Sequence, residues 1–266
     1  MITRNNLGEV VQFMMGKQIG DIVPFSMAVY YVDGIMIDTG PYSVFNELET
    51  ALSGLPIKKV VNTHHHEDHV GNNIYFQQRN IPILAHELTI PLNRDPSLWT
   101  SRFLYYQEVL FDYPPASECS PLGDFIQGDQ YQYQVVFTPG HAHDHICLVE
   151  EENGWLFAGD LFRGEEVKNL RIDEDVHLTM TSLEKLLNYN FDTIYCCSGR
   201  VYDQAKQRIR HKLNWWRNLY HQAVSLEEQG FEREIIRDKL LGKENRLTEA
   251  TVGDSSKINM INSLLK

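Results

Sequence analysis

Seven of the chain's eleven histidines fall in two short windows, His64, His65, His66 and His69, then His141, His143 and His145. Core histidines scatter, so this clustering restricts the chain to folds that bring the two windows together. The first window is the run Thr63-His64-His65-His66-Glu67-Asp68-His69, directly after the apolar segment Lys58-Lys59-Val60-Val61-Asn62. On an extended segment, residues two apart point to the same side, so His64 and His66 project together. Asp68 and His69 follow where a helix would begin. Imidazole and carboxylate are the ligands that zinc prefers, with iron and manganese as competitors. A solvated polar loop would not be flanked by Val60-Val61 and Gly71, which anchor the run inside a fold. A tight site also needs ligands from elsewhere, and Thr138-Pro139-Gly140-His141 and Leu156-Phe157-Ala158-Gly159-Asp160 each offer one at the end of a strand.

The rest of the chain shows how those strand ends arise. Alternation and turn residues predict strands over 10–15, 27–32 and 35–38, with Asp33-Gly34 as a two-residue hairpin turn. Val44, Leu48, Ala51 and Leu52 recur at helical spacing, which predicts a helix over 42–53 feeding the strand 58–62. A helix over 70–79 and a strand over 81–85 follow. Residues 88–125 are broken by Pro91, Pro96, Pro114, Pro115, Pro121 and Gly123, and read as a long irregular insertion. Strands at 131–137, 146–149 and 155–158 come next, with Asn153-Gly154 as a second hairpin turn, then a helix over 176–189 and a strand over 193–197. From Asp203, as N-cap, Ile209, Leu213, Trp216, Tyr220 and Ala223 make a stripe that ends at Gly230, the mark of a long amphipathic helix. Shorter helices over 231–241 and 255–265 complete a tail that reads as all helical. The expected division is a mixed domain over 1–200 and a helical extension over 201–266.

Composition narrows the function. The 266 residues are 42% hydrophobic and 23% charged with a mean hydropathy of −0.35, and no apolar run approaches the ~20 residues of a membrane span. The first nine residues contain no apolar segment of the kind that directs secretion, so a cytoplasmic location is expected. Residues 1–200 carry a net charge of −15, whereas residues 201–266 carry +3. The acidic part would repel a phosphate-rich partner, so nucleic acid is not expected, and the basic residues of the tail alternate with acids as on a solvated helix face. Cys119, Cys147, Cys196 and Cys197 show no C-x-x-C spacing and read as reduced thiols, Cys196 and Cys197 as small core residues.

Taken together, four pieces resemble the metallo-β-lactamase fold superfamily of hydrolases: Asp38 in Ile-Asp-Thr-Gly, His-x-His-x-Asp-His over 64–69, Thr-Pro-Gly-His ending at His141, and Phe-Ala-Gly-Asp ending at Asp160. The resemblance covers residues 10–200. It implies an α+β fold, an αβ/βα sandwich with the metal site at one edge between the sheets. It also implies that His64, His66 and His141 hold a first metal, that Asp68 and His69 hold a second, and that Asp160 bridges the two. Asp38 would support the ligand loops from behind. One element departs from the family: where many members end the next strand in Gly-His, this chain reads Cys197-Ser198-Gly199-Arg200. A guanidinium has no lone pair to donate. Arg200 is therefore expected to pair with Asp160 or to grip an anionic substrate group, leaving one tightly held zinc and a second site that is weak or empty. His143, His145 and His177 are the candidates to replace the missing ligand, and His86, His211 and His221 read as surface or supporting residues.

The expected chemistry is hydrolysis by a metal-activated water, with Asp68 orienting the water and moving its proton. No Gly-x-Ser-x-Gly elbow or phosphate-binding loop competes for the role. The resemblance leans toward the glyoxalase II and lactonase branches, hence toward an ester, thioester or lactone of small-molecule size. The alternatives are a phosphodiesterase or RNA-processing nuclease of the same superfamily, and a metal-poor binding or regulatory protein on the same fold. The tail and the 88–125 insertion are expected to cover the substrate side. The other reading of the tail's stripe is a buttress for the sandwich or a homodimer contact.

Overall fold

A computed structural model describes residues 1–266. Its first sheet runs in the order β1 (Ile2–Leu7), β2 (Val10–Met15), β3 (Met27–Val32), β4 (Ile35–Ile37), β5 (Lys59–Val61), β6 (Ile83–Ala85) and β7 (Ser120–Pro121). The first four strands are antiparallel and the last four parallel. Asp33 and Gly34, with φ of 53° and 81°, make the tight β3–β4 turn that the sequence predicts, because both central residues of such a turn need positive φ. The second sheet holds β8 (Phe125–Gln127), β9 (Gln132–Phe137), β10 (Ile146–Glu150), β11 (Trp155–Phe157), β13 (Thr193–Tyr195) and β14 (Val201–Tyr202). Only the β11–β13 pair in it is parallel. Two further short strands, β12 (Leu170–Arg171) and β15 (Ser255–Ser256), pair with each other.

The sheets face each other across a core of Val10, Tyr30, Ile35, Ile37, Val61, Tyr133, Ile146, Leu148, Phe157 and Tyr195. Phe157 lies at its centre, stacked on Tyr195 at 5.0 Å and edge-on to Tyr30 at 5.8 Å. Phe157→Ala is expected to cost about 3–5 kcal/mol, the usual range for emptying a buried aromatic site. Urea unfolding checks it; a loss below ~1 kcal/mol would mean that the two sheets do not pack through this residue.

Helices cover the outer faces. Val44, Leu48 of α1 (Leu48–Ala51), and Tyr75 and Phe76 of α3 (Asn73–Gln77) bury against the first sheet. Leu183 and Leu186 of α7 (Val176–Leu186), with Ile209 and Leu213 of α8 (Ala205–Glu228), bury against the second. The layering is the expected αβ/βα sandwich. The apolar stripe of the tail is buried within the chain as a buttress: past Leu213, Trp216 and Leu219 meet Met260 and Leu264 of α11 (Lys257–Leu264).

Several local expectations change. The helix over 42–53 is a 3₁₀ turn at Tyr42–Glu47 followed by the single turn of α1. The helix expected over 70–79 starts earlier and breaks at Gly71-Asn72 into α2 (Glu67–Val70) and α3. A Cβ at Gly71 would collide with the main-chain nitrogen of Tyr42, so glycine is what lets α2 lie against the loop after β4. The insertion is less irregular than its prolines suggest, with α4 (Thr89–Arg94), α5 (Ser97–Thr100) and α6 (Tyr105–Phe111). Gln204, not Asp203, precedes α8, with φ of 57° and no side-chain cap. The tail is not all helical: after α9 (Arg233–Leu240), β15 lies between α10 (Arg246–Ala250) and α11, while β14 belongs to the second sheet. No helix is long and apolar enough to cross a membrane.

Candidate metal centre

The run after β5 belongs to both sheets at once. The Asn62 amide donates to Leu84 of β6 at 2.9 Å, and the Thr63 carbonyl accepts from the Ile146 amide of β10 at 2.8 Å. This holds the first ligands on the seam of the sandwich, and His66, in extended conformation with ψ of 152°, starts α2. The helical turn presents Asp68 and His69. His141 sits in the β9–β10 loop, and Asp160 follows β11.

These residues converge. Nε2 of His64 and Nδ1 of His66 are 3.0 Å apart, and Nε2 of His141 is 3.0 Å from the same His66 nitrogen. Asp160 faces both halves of the cluster, Oδ2 at 3.4 Å from His141 Nε2 and Oδ1 at 3.0 Å from His69 Nε2. Asp68 Oδ1 is 3.8 Å from the same His69 nitrogen. His69 Nε2 and Asp160 Oδ1 are buried, yet neither closes a hydrogen bond. Buried polar atoms are satisfied almost everywhere in folded proteins, so an inward-facing orphan pair marks a place for a ligand. The donor set suits a divalent ion: burial, then the neighbouring rings, hold His64 well below the usual imidazole range, and burial followed by Arg171 does the same to His66. Neutral rings keep their lone pairs available.

Carboxylates decide the remaining protons. Burial alone would lower His69, but Asp38, Asp68 and Asp160 around it raise it well above the ordinary value. Burial pushes Asp68 up to about 6. Asp160 is also buried, but His141, His69 and Arg163 hold it well below the usual carboxylate range. Two neighbouring acids are thus set apart by their surroundings, Asp68 pushed up and Asp160 held down.

The surrounding shell is more extensive than the motifs disclose. Asp38, in a left-handed conformation with φ of 62°, accepts from the Thr63 amide at 2.7 Å and the Thr63 hydroxyl at 2.8 Å, and stands 2.7 Å from His69 Nδ1. His65, silent in the sequence beyond being one of the cluster, sits 2.9 Å from Asp144, whose other oxygen accepts from Thr89 at 2.7 Å. This chain of contacts ties the 64–69 run, the 141–145 loop and the insertion together, and Trp99 packs edge-on to His65 at 5.2 Å. Sequence reasoning also misses Glu174 and Arg163. They pair at 2.8 Å, with Glu174 at 3.0 Å from His141 Nδ1.

Arg200 is not among these residues. It is exposed, and no ion pair joins it to Asp160. The cation beside Asp160 is Arg163, brought there by the loop after β11. None of the candidate substitutes completes the second position. His145 uses Nδ1 on Thr138 at 3.0 Å and Nε2 on the Asp160 amide at 3.1 Å. His177 faces the Leu264 carbonyl at 3.0 Å, and His143 is exposed. His86 stacks on Phe137, while His211 and His221 lie on the outer surface of α8.

The arrangement has counterparts among known proteins. The family model of the metallo-beta-lactamase superfamily matches residues 25–198. A beta-lactamase-like protein 2 homolog from Caenorhabditis elegans is 30% identical over 185 residues, which are 66% of this chain and 55% of that protein. An atrochrysone carboxyl ACP thioesterase from Paecilomyces divaricatus is 31% identical over 121 residues, 46% of this chain and 34% of that protein. The chain thus spans about half the length, or less, of the curated relatives it matches. Among solved structures, a metallo-beta-lactamase family protein from Thermus thermophilus superposes with a TM-score of 0.70 at 18% identity, covering 95% of this chain and 90% of that one. A beta-lactamase domain protein from Burkholderia ambifaria gives 0.71 at 18% identity over 98% and 87%. These two show the likeness of fold across both the sandwich and the tail. With more than half its length matched, in a segment that contains the whole cluster from Asp38 to Asp160, the chain belongs to the metallo-beta-lactamase superfamily.

Proposed function

We propose that this chain is a metal-dependent hydrolase of carboxylic esters, thioesters or lactones of small-molecule size. In this reading His64, His66 and His141 hold one zinc tightly, and Asp160, with Asp68 and His69, offers a weaker second position. The observation that carries the reading is the convergence of three imidazole nitrogens within 4.8 Å of one another on the seam of the sandwich. A divalent ion with an open coordination position acidifies water toward neutral pH and polarises a carbonyl oxygen.

The chain's own residues supply the rest. Asp68, with its carboxyl raised to about 6, exchanges a proton readily near neutrality, so it takes the proton of the attacking water and returns it to the leaving group. Asp38 and Thr63 fix the His69 ring, and the His65–Asp144–Thr89 contacts hold the two ligand loops at a constant spacing. Acyl transfer is favoured over phosphodiester cleavage because the mixed domain carries a net charge of −15, which opposes a polyanionic substrate. The thioesterase among the relatives supports the same choice.

The test is a comparison of zinc-loaded protein on a thioester, a p-nitrophenyl ester and bis-p-nitrophenyl phosphate. Turnover of an acyl substrate well above that of the phosphodiester is expected. Preference for the phosphodiester would place the chain in the nuclease-like branch. Little bound metal together with no turnover of any of the three would favour the metal-poor binding-protein alternative.

A further inference from the structure

A histidine that offers one ring nitrogen to a ligand site needs the other one held, because a freely turning ring presents its lone pair only part of the time. For His69 that support comes from Asp38. For His141, Nδ1 stands 3.0 Å from Oε2 of Glu174, a charge contact that does not close a hydrogen bond, and no hydrogen-bonding partner takes its place. Glu174 is 3% exposed. Its two oxygens take Nη2 of Arg163 at 2.8 and 2.9 Å, and Oε1 accepts from the Arg171 amide at 3.0 Å.

The segment that carries Glu174 is fastened by the end of the chain. Ser263 on α11 donates its hydroxyl to the Glu174 carbonyl at 3.0 Å and accepts from the Val176 amide at 2.9 Å. One helical turn earlier, Asn259 donates to the Leu170 carbonyl at 3.1 Å. Ser263 and Asn259 are both buried. The path from the last helix to the candidate metal centre is thus three contacts long: Ser263 to the Glu174 backbone, the Glu174 carboxylate to His141, and His141 to the cluster.

We propose that Glu174 is the positioning residue of His141 and that the C-terminal helix, through Ser263, holds Glu174 in place, so that metal retention depends on the last turns of the chain. The proposal rests on the metal reading of the cluster and adds the residue that orients one of its ligands. Glu174→Gln keeps size and shape while removing the charge that fixes the ring. It is expected to weaken metal affinity by about 10–100-fold, the usual effect of losing such a partner.

The measurement is competition of the full-length protein against a chromophoric chelator, with the visible spectrum of the cobalt(II) form as a report on ligand geometry, both without substrate. Glu174→Asp, which keeps the charge but shortens the reach, is expected to recover part of the affinity. Ser263→Ala leaves every carboxylate and imidazole in place; it is expected to weaken affinity severalfold, and it carries the test where Glu174→Gln does not fold. Wild-type affinity and an unchanged cobalt spectrum in folded Glu174→Gln would overturn the proposal, whatever happens to thermal stability. Unchanged affinity in Ser263→Ala would overturn the part played by the helix. A wild-type protein that binds neither zinc nor cobalt would instead overturn the metal reading beneath it.

Discussion

His66→Ala is expected to remove metal and turnover together. His66 Nδ1 stands 3.0 Å from both His64 Nε2 and His141 Nε2, so its loss takes away the nitrogen that lies between the other two. The remnant, two imidazoles with the Asp160 carboxylate, is one donor short of the intact set and is expected to hold the ion far less tightly. Loss of transition-state charge stabilisation is worth roughly 10²–10³ in rate for a single donor, so the loss of a ligand is expected to lower kcat/KM by about a thousandfold or more. Metal analysis of the purified variant alongside its kinetics checks this. A variant with full metal content and normal turnover would show that the primary site lies elsewhere.

The second large effect is expected from chelation. A ligand that binds only the folded state stabilises it by an amount set by its concentration over its dissociation constant, about 4 kcal/mol at a thousandfold excess. For a protein of this size each kcal/mol moves Tm by roughly 2–4 °C, so stripping the metal is expected to lower Tm by about 8–16 °C. Returning zinc to the stripped protein in a calorimeter is expected to show one tight equivalent and a clearly weaker second. The reason lies after β13: Ser198 and Arg200 are exposed and His145 is engaged on both nitrogens, so no further imidazole joins Asp68, His69 and Asp160 at the second position. Two equally tight equivalents would contradict this account.

What could be read from the sequence follows physical locality. The two-residue hairpin at Asp33-Gly34 and the hairpin containing Asn153-Gly154, which closes over the four residues 151–154, announce themselves, with the strands beside them, because turn chemistry and alternation are local signals. The His64–His69 run is legible for the same reason, since four donors lie within six residues. Other elements leave no local trace. β1 is an edge strand whose residues Thr3, Arg4, Asn5 and Asn6 are exposed, so it lacks the apolar alternation that identifies a half-buried strand. The helices of the insertion are four to seven residues long, too short for a 3.6-residue period to register. Glu174 meets His141 from 33 residues away, and only packing brings them together. Arg200 illustrates the opposite case: its place in the expected ligand motif suggested a pair with Asp160 that the structure does not form, whereas Arg163, unremarkable in the sequence, is the cation beside that carboxylate.

Arg171 gives the molecule a property of its architecture as a set of parts. Its guanidinium lies 3.6 Å from Glu67 on α2 and 3.5 Å from Asp254 in the tail, and Asp254 accepts from Tyr106 of the insertion at 2.6 Å. Gln107, next to Tyr106, donates to the same Glu67 at 2.9 Å. A buried charge left without its partner is costly, so no one of these segments is free to change alone. A chimaera that imports the tail of a relative, and with it loses Asp254, would take a partner from both Arg171 and Tyr106 beside α2. Insertion and tail therefore form a single exchangeable unit, to be grafted together with Glu67 and Arg171 in any exchange of parts between family members.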